Sequence, residues 1–398
     1  MRALVLILGL AAAIAAPAHA AGPSGWDHPG FDAEDSYYNP GESAINAGTI
    51  GGLARRWSVP LRARDGSCTG PSAPVVAGGR VFATDDLGIS AYQAVDGTPI
   101  WRFGWDDPID SSTPRLAVAD GELIAANDDC NSNSDPDGAI TALDVASGQV
   151  RWHVRTDIPI VTVAVDRGVA VVSGESLSDE QATIAYRTTD GHPLWTRTGY
   201  SSSGVSANGT LLLTRSSATV AVAITTGAVL WTKPQIWYPQ SATPASDHFL
   251  VNAGTGLASI DASTGAVLWT VPGKAGELIA TDGRRVYRVS GQAVEALNAR
   301  TGRRSWSRQL TAEVGQPVRA GGLLHTGGQV LNAAAGKCGR DRRGFRWRAD
   351  RDRRPPVLGQ RPDVVQLRAL NSGGRPLPNC RSPGSSHCST RSATCATP

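Results

Sequence analysis

The residues best able to do chemistry in this 398-residue chain are few and scattered. The insert NDDCNSNSDPDG, residues 127–138, spaces Asn133, Asp135 and Asp137 two apart before Gly138, like the opening of a calcium loop whose alternate oxygens ring a hard cation. Asp144 even falls at the twelfth position. Pro136 stiffens the middle of the loop, however, and Asp144 has a separate role in a turn, so a polar loop clipped by Cys130 is the preferred reading. The histidines (His19, His28, His153, His192, His248, His325, His387) form no i,i+4 pair and join no set of ligand types at metal-site spacing, so no zinc site is indicated. Serine-rich stretches such as SSSG and TRSSAT contain no G-x-S-x-G elbow, which leaves nucleophilic hydrolysis without support. Trp105, Trp237 and Tyr238, in WRFGWDDP and KPQIWYPQ, offer aromatic faces of the kind that line sugar or peptide sites. Packing at a sheet edge is the plainer account.

The elements that would hold such residues come from a repeat. AYQAVDGTPIW, ALDVASGQVRW, AYRTTDGHPLW, AVAITTGAVLW, SIDASTGAVLW and ALNARTGRRSW align without a gap, ending at Trp101, Trp152, Trp195, Trp231, Trp269 and Trp306. Four residues before each Trp stands a glycine (Gly97, Gly148, Gly191, Gly227, Gly265, Gly302), as a hairpin turn with positive φ requires. Ten residues before each Trp the side chain is small. Eight before it, Asp144, Asp261 and Asn298 can accept hydrogen bonds from turn amides, whereas Gln93, Arg187 and Ala223 cannot do so in the same way and predict looser turns.

Successive tryptophans lie 36 to 51 residues apart, near the roughly 40 to 50 residues of one four-stranded propeller blade. Abundant Gly and Pro and alternating runs such as PVVAGGRVFAT agree with many short strands. The expected fold is therefore all-β: a β-propeller of four-stranded blades, seven to eight in number, with an incomplete C-terminus as one outcome. The tryptophans are structural anchors between neighbouring blades. INAGTIGGLARRWSV carries one more, Trp57, without the turn motif, and predicts a lone outer strand that pairs with the last C-terminal blade to close the ring.

MRALVLILGLAAAIAAPAHA has a basic residue, an apolar run shorter than the roughly 20 residues that span a bilayer, and small residues at Ala18 and Ala20. This predicts an export signal, residues 1–20, cleaved after Ala20, and a secreted product, extracellular or periplasmic, with no membrane anchor. An oxidising compartment permits disulfides, and Cys68 with Cys130 is the expected pair, since both lie in the repeat region. The resulting division is 1–20 signal, 21–44 N-terminal extension, 45–337 propeller repeats and 338–398 tail.

The pattern A-x-D-x-x-(T/S)-G-x-x-x-W resembles the repeats of pyrroloquinoline-quinone-type propellers. That superfamily includes quinoprotein alcohol dehydrogenases and the propeller lipoprotein of outer-membrane assembly. The resemblance covers about Ile45 to Gly336 and bears on fold rather than activity, because one fold hosts many functions. Quinoprotein dehydrogenases of this type hold their cofactor beneath a vicinal disulfide and over a Trp, beside a calcium bound by carboxylates and amides. This chain has no adjacent cysteine pair and no C-x-x-C-H motif, and it is much shorter, so neither quinone nor calcium is expected and no catalytic residue is carried over.

A seventh unit begins with QVLNAAAGK, placing Gly336 in the turn, but Arg340 stands where its Trp belongs. The arginine-rich text from Cys338 onward, holding Cys338, Cys380, Cys388 and Cys395, lacks strand alternation and reads as an aberrant, disordered basic tail. A frameshift is the preferred explanation, since CGN arginine codons read one base later encode the small and apolar residues of this protein's strands. Only a genuine tail would bring nucleic acid in as a partner. The leading functional expectation is a non-catalytic binding or scaffold propeller, of the non-enzymatic branch, presenting a ring face to a protein, glycan or small ligand. The alternatives are a quinone- or calcium-assisted oxidoreductase, which needs acidic and amide side chains converging on the central channel, and a glycan binder using Trp105 and Trp237, which burial of both indoles would exclude.

Overall fold

The computed structural model describes residues 25–132, 135–177, 180–273, 277–311, 314–327 and 329–337, and the backbone of 363–369. It is a β-propeller. Six blades are antiparallel four-stranded sheets, each built in chain order from the inside out. Blade 1 runs from Val75–Ala77 to Pro99–Gly104 and blade 2 from Arg115–Ala119 to Val150–Thr156. Blades 3 and 4 open with Thr162–Asp166 and Ser201–Ala207, and blades 5 and 6 with Tyr238–Ala242 and Leu278–Thr281. Blade 7 holds Val318–Ala320, Leu323–His325 and Val330–Asn332, and its inner strand takes Tyr38–Asn39 as a parallel neighbour. Middle strands such as Val169–Gly174 are buried on both faces, because adjacent blades cover them.

The repeat now has a physical reading. Each Trp stands on the outer strand opposite the small residue ten positions earlier: Ala91 faces Trp101, Ser259 faces Trp269 and Ala296 faces Trp306. The residue just before the Trp is bulged out of the ladder, and that bulge turns the indole toward the next blade. There the ring lies on the turn glycine. A Cβ built on Gly97, Gly148, Gly191, Gly227, Gly265, Gly302 or Gly336 would stand 2.5–2.9 Å from an indole atom, and all seven have φ between +61° and +77°. Glycine is thus required twice, for space and for conformation. Each indole N–H also donates to a backbone carbonyl of the same turn, at 2.7–3.2 Å, from Trp57 to Ala94 through Trp306 to Ala333.

Asp144, Asp261 and Asn298 accept turn amides as expected. The expectation of looser turns where Gln93, Arg187 and Ala223 stand is corrected. Those turns close with the same glycine N–H bond at 2.8–2.9 Å, and in each of them Asp96, Asp190 or Thr226, inside the loop, accepts a turn amide.

Trp57 lies on strand Leu53–Pro60 and is docked on Gly97 of blade 1 like the others. This strand pairs antiparallel with Asp363–Ala369, Trp57 opposite Gln366, and Arg56 is skipped in the ladder as the residue before every other Trp is. The pair therefore has the register of a blade's two outer strands, an eighth blade in part. The predicted pairing with the C-terminus is present, and the reading of the whole tail as strandless is corrected at Asp363–Ala369. Position 340 and the four tail cysteines lie outside the described residues, as does the export signal.

Candidate functional site

The axial channel is where a propeller usually places a ligand, since every inner strand borders it. Here it is crossed by the chain's own N-terminal segment. Residues 26–39 visit the seven inner strands in order. Trp26 exchanges two backbone bonds with Val76 of blade 1, and the Asp27 carbonyl accepts from Val118 of blade 2 at 2.8 Å. His28 Nε2 meets the Val165 carbonyl of blade 3 at 2.8 Å. Ala33, Glu34, Ser36 and Tyr37 carbonyls then accept from Ser206, Ala242, Thr281 and Arg319 of blades 4 to 7, at 2.7–2.9 Å. This strap meets the C-terminal parts of the inner strands and floors the channel.

Its sequence, WDHPGFDAEDSYYNP, folds tightly for local reasons. The Asp32 carboxylate accepts both the backbone N–H and the hydroxyl of Ser36, and Tyr37 N–H reaches back to the Gly30 carbonyl. Phe31, Asp35 and Tyr37 all adopt positive φ, a cost that non-glycine residues carry only where surrounding contacts hold them there. The Trp26 and Phe31 rings meet edge to face at 5.2 Å, and Arg319 lies over the Tyr38 ring.

Between the strap and blades 2 to 4 is a cavity of about 190 Å³, lined on one wall by His28, Asp32 and Asp35 and on the other by Arg115, Thr162 and Ser203. Arg115 donates to the Ile160 carbonyl, and the buried Ser203 hydroxyl has no partner among the described residues. Burial pushes the Asp35 carboxyl up to about 7, although the nearby His28 charge pulls it down. Burial alone would lower His28, but the Asp27 carboxylate and the Val165 carbonyl outweigh it and raise it. The arrangement can hold protons and a small polar molecule. No nucleophile stands beside a base among the described lining residues.

The residues singled out from sequence fall elsewhere. Cys68 and Cys130 are disulfide-bonded, Cα–Cα 6.4 Å, tying the segment before blade 1 to the loop of blade 2 that carries the acidic insert. In that loop Asp137 and Asp129 both bind Arg155, and Asp144 is held far below the usual carboxylate range by Arg151 and then Ser147. Asp135 is described but Asn133 is not, and among the described residues no three metal-ligating side chains converge. Trp237 is buried, edge to face with Trp231. Trp105 is half-buried against Phe103, its indole N–H without a partner among the described residues, and Tyr238 is exposed. Burial of Trp237 removes it from a shared aromatic platform with Trp105, which corrects that part of the glycan reading. The strap was missed, because it has no period and its partners are backbone groups far along the chain. Its dense Pro, Gly, Asp and aromatic content was the available signal.

Among the described residues no helix is long and apolar enough to cross a membrane. No curated protein matches the chain. Among solved structures it is similar to the quinohemoprotein alcohol dehydrogenase from Comamonas testosteroni, with 14% identity over 80% of this chain and 73% of that one and a TM-score of 0.60. A europium-containing methanol dehydrogenase gives 13% identity over 80% and 85% of the two chains, with a TM-score of 0.56. BamB from Moraxella catarrhalis gives 17% over 71% and 86%, with a TM-score of 0.51. These likenesses speak to fold. The family model described as outer membrane protein assembly factor BamB matches residues 54–233 and 215–340. With its tryptophan-on-glycine blades, the chain belongs to this BamB-like family of PQQ-type repeat propellers.

Proposed function

We propose that this chain is an exported, non-catalytic propeller that binds or scaffolds a partner protein on a ring face. The observation that carries the reading is the strap, which hydrogen-bonds each of the seven inner strands, six through its own backbone and one, at Val165, through the His28 ring. The adjoining cavity, about 190 Å³, is smaller than the roughly 300–1,000 Å³ of sites that enclose a cofactor or drug-sized ligand. The strap carboxylates Asp27, Asp32 and Glu34 are engaged with His28, Ser36 and Ser246, and Asp166 on the inner strand of blade 3 with Ser206 and Gly209, so they do not form an open carboxylate-and-amide set for calcium beside a quinone. The two described cysteines lie 62 residues apart, unlike a vicinal pair beneath which a quinone could rest. The described residues do not fit that cofactor. Export is supported by the leader-like N-terminus and by the disulfide.

The experiment is a dye-reduction assay on the purified chain with added pyrroloquinoline quinone, calcium and a panel of alcohols. The expected rate equals the protein-free blank. A rate that saturates with quinone would overturn the reading in favour of the oxidoreductase.

A further inference from the structure

His28 fastens the first half of the strap. Its Nδ1 lies 2.8 Å from the Asp27 carboxylate and its Nε2 2.8 Å from the Val165 carbonyl. Both neighbours only accept, so both contacts are hydrogen bonds only when both ring nitrogens carry protons. Asp35, half-buried on the same cavity wall, sits against Gly30. The charged groups around the pair are Asp27 and Asp32 on the strap and Arg115 from blade 2. Beyond Val165 on blade 3, the Asp166 carboxylate is already bound by the Ser206 hydroxyl and the Gly209 amide, and Glu34 is turned to Ser246. Deprotonating His28 would therefore leave the strap carboxylates Asp27, Asp32 and Asp35 without a cation on the strap itself, while Arg115 on the facing wall also answers to Asp128.

We propose that the strap is a proton-operated latch. His28 as an imidazolium holds residues 26–32 against blades 1 to 3, and loss of its proton frees that half while residues 33–39 stay bonded to blades 4 to 7. The imidazole is raised in the folded chain above its ordinary 6.5. The stabilisation it supplies is complete below its unfolded value and is lost as pH rises through its folded value, so the latch opens on the alkaline side of 6.5.

Amide hydrogen exchange on the full chain tests this. Val118 N–H, bonded to Asp27, reports the first half of the strap, and Ala242 N–H, bonded to Glu34, reports the second. Between about pH 6 and pH 9, Val118 protection is expected to fall about tenfold while Ala242 changes less than about twofold. His28→Gln, which cannot take up a proton, should lower Val118 protection at the acid end and remove its fall across the interval. Constant Val118 protection in the wild type, an equal fall at both amides, or a His28→Gln curve that keeps the wild-type fall would each overturn the latch.

Discussion

At Gly302 a missing side chain decides how two blades meet. Its φ is +68°, and a Cβ there would lie 2.9 Å from the Trp269 ring. Gly302→Ala should therefore destabilise by more than the ~1 kcal/mol of conformational strain alone, read as a lower urea midpoint at unchanged slope. Trp269→Ala removes the opposing ring and should cost about 3–5 kcal/mol, as large buried aromatics do. The double variant should cost less than the two single changes summed, since one contact is removed twice. This pairing was legible in the sequence because type and spacing recur in every unit. Asp35 and His28 were not legible, because the protonation of the first depends on its burial and that of the second on the Asp27 carboxylate and the Val165 carbonyl it meets, which no residue type announces. With both groups raised, folding takes up protons near neutrality, so stability should fall as pH rises past about 7. Denaturation at a series of pH values checks the sign, and a midpoint that rises across that interval would contradict it.

Among the elements, outer strands and turns were readable and the connections between distant segments only partly so. Cys68 and Cys130 were paired from compartment and position, and their bond closes a loop of 62 residues. Loop-closure entropy assigns such a link roughly 4 kcal/mol, so Cys68→Ser with Cys130→Ser should lower the unfolding free energy by up to that amount, as a denaturant titration would show. The partner of Leu53–Pro60 was expected at the C-terminus, but the text there has no repeat grammar from which to choose a segment. The backbone pairing with Asp363–Ala369 makes the choice testable. Deleting residues 363–369 should raise amide exchange along Leu53–Pro60 while Trp57 stays docked on Gly97, since that contact belongs to blade 1. Unchanged exchange in the strand would contradict the pairing. The strap is the element that sequence periodicity could not supply, because each of its bonds is made to a different blade.

In the whole molecule these contacts form one circuit. Tryptophans join blades 1 to 7 in succession around the outside, with Trp57 tying its strand to blade 1, and the strap joins the inner strands around the axis. A propeller so organised has its channel occupied and its rim and loop faces left for partners, which is the basis for reading this BamB-like chain as a scaffold. The claim on which this depends is that the strap lies in the channel in solution. Amide exchange at Ser206, Thr281 and Arg319 in the intact chain at mildly acidic pH measures it most directly, because each donates to a strap carbonyl from the channel side of its blade. Exchange more than about a hundredfold slower than in an unstructured peptide is expected at all three. Exchange at the unstructured rate would mean that the channel is open, and the case for a non-catalytic scaffold would lose its main support.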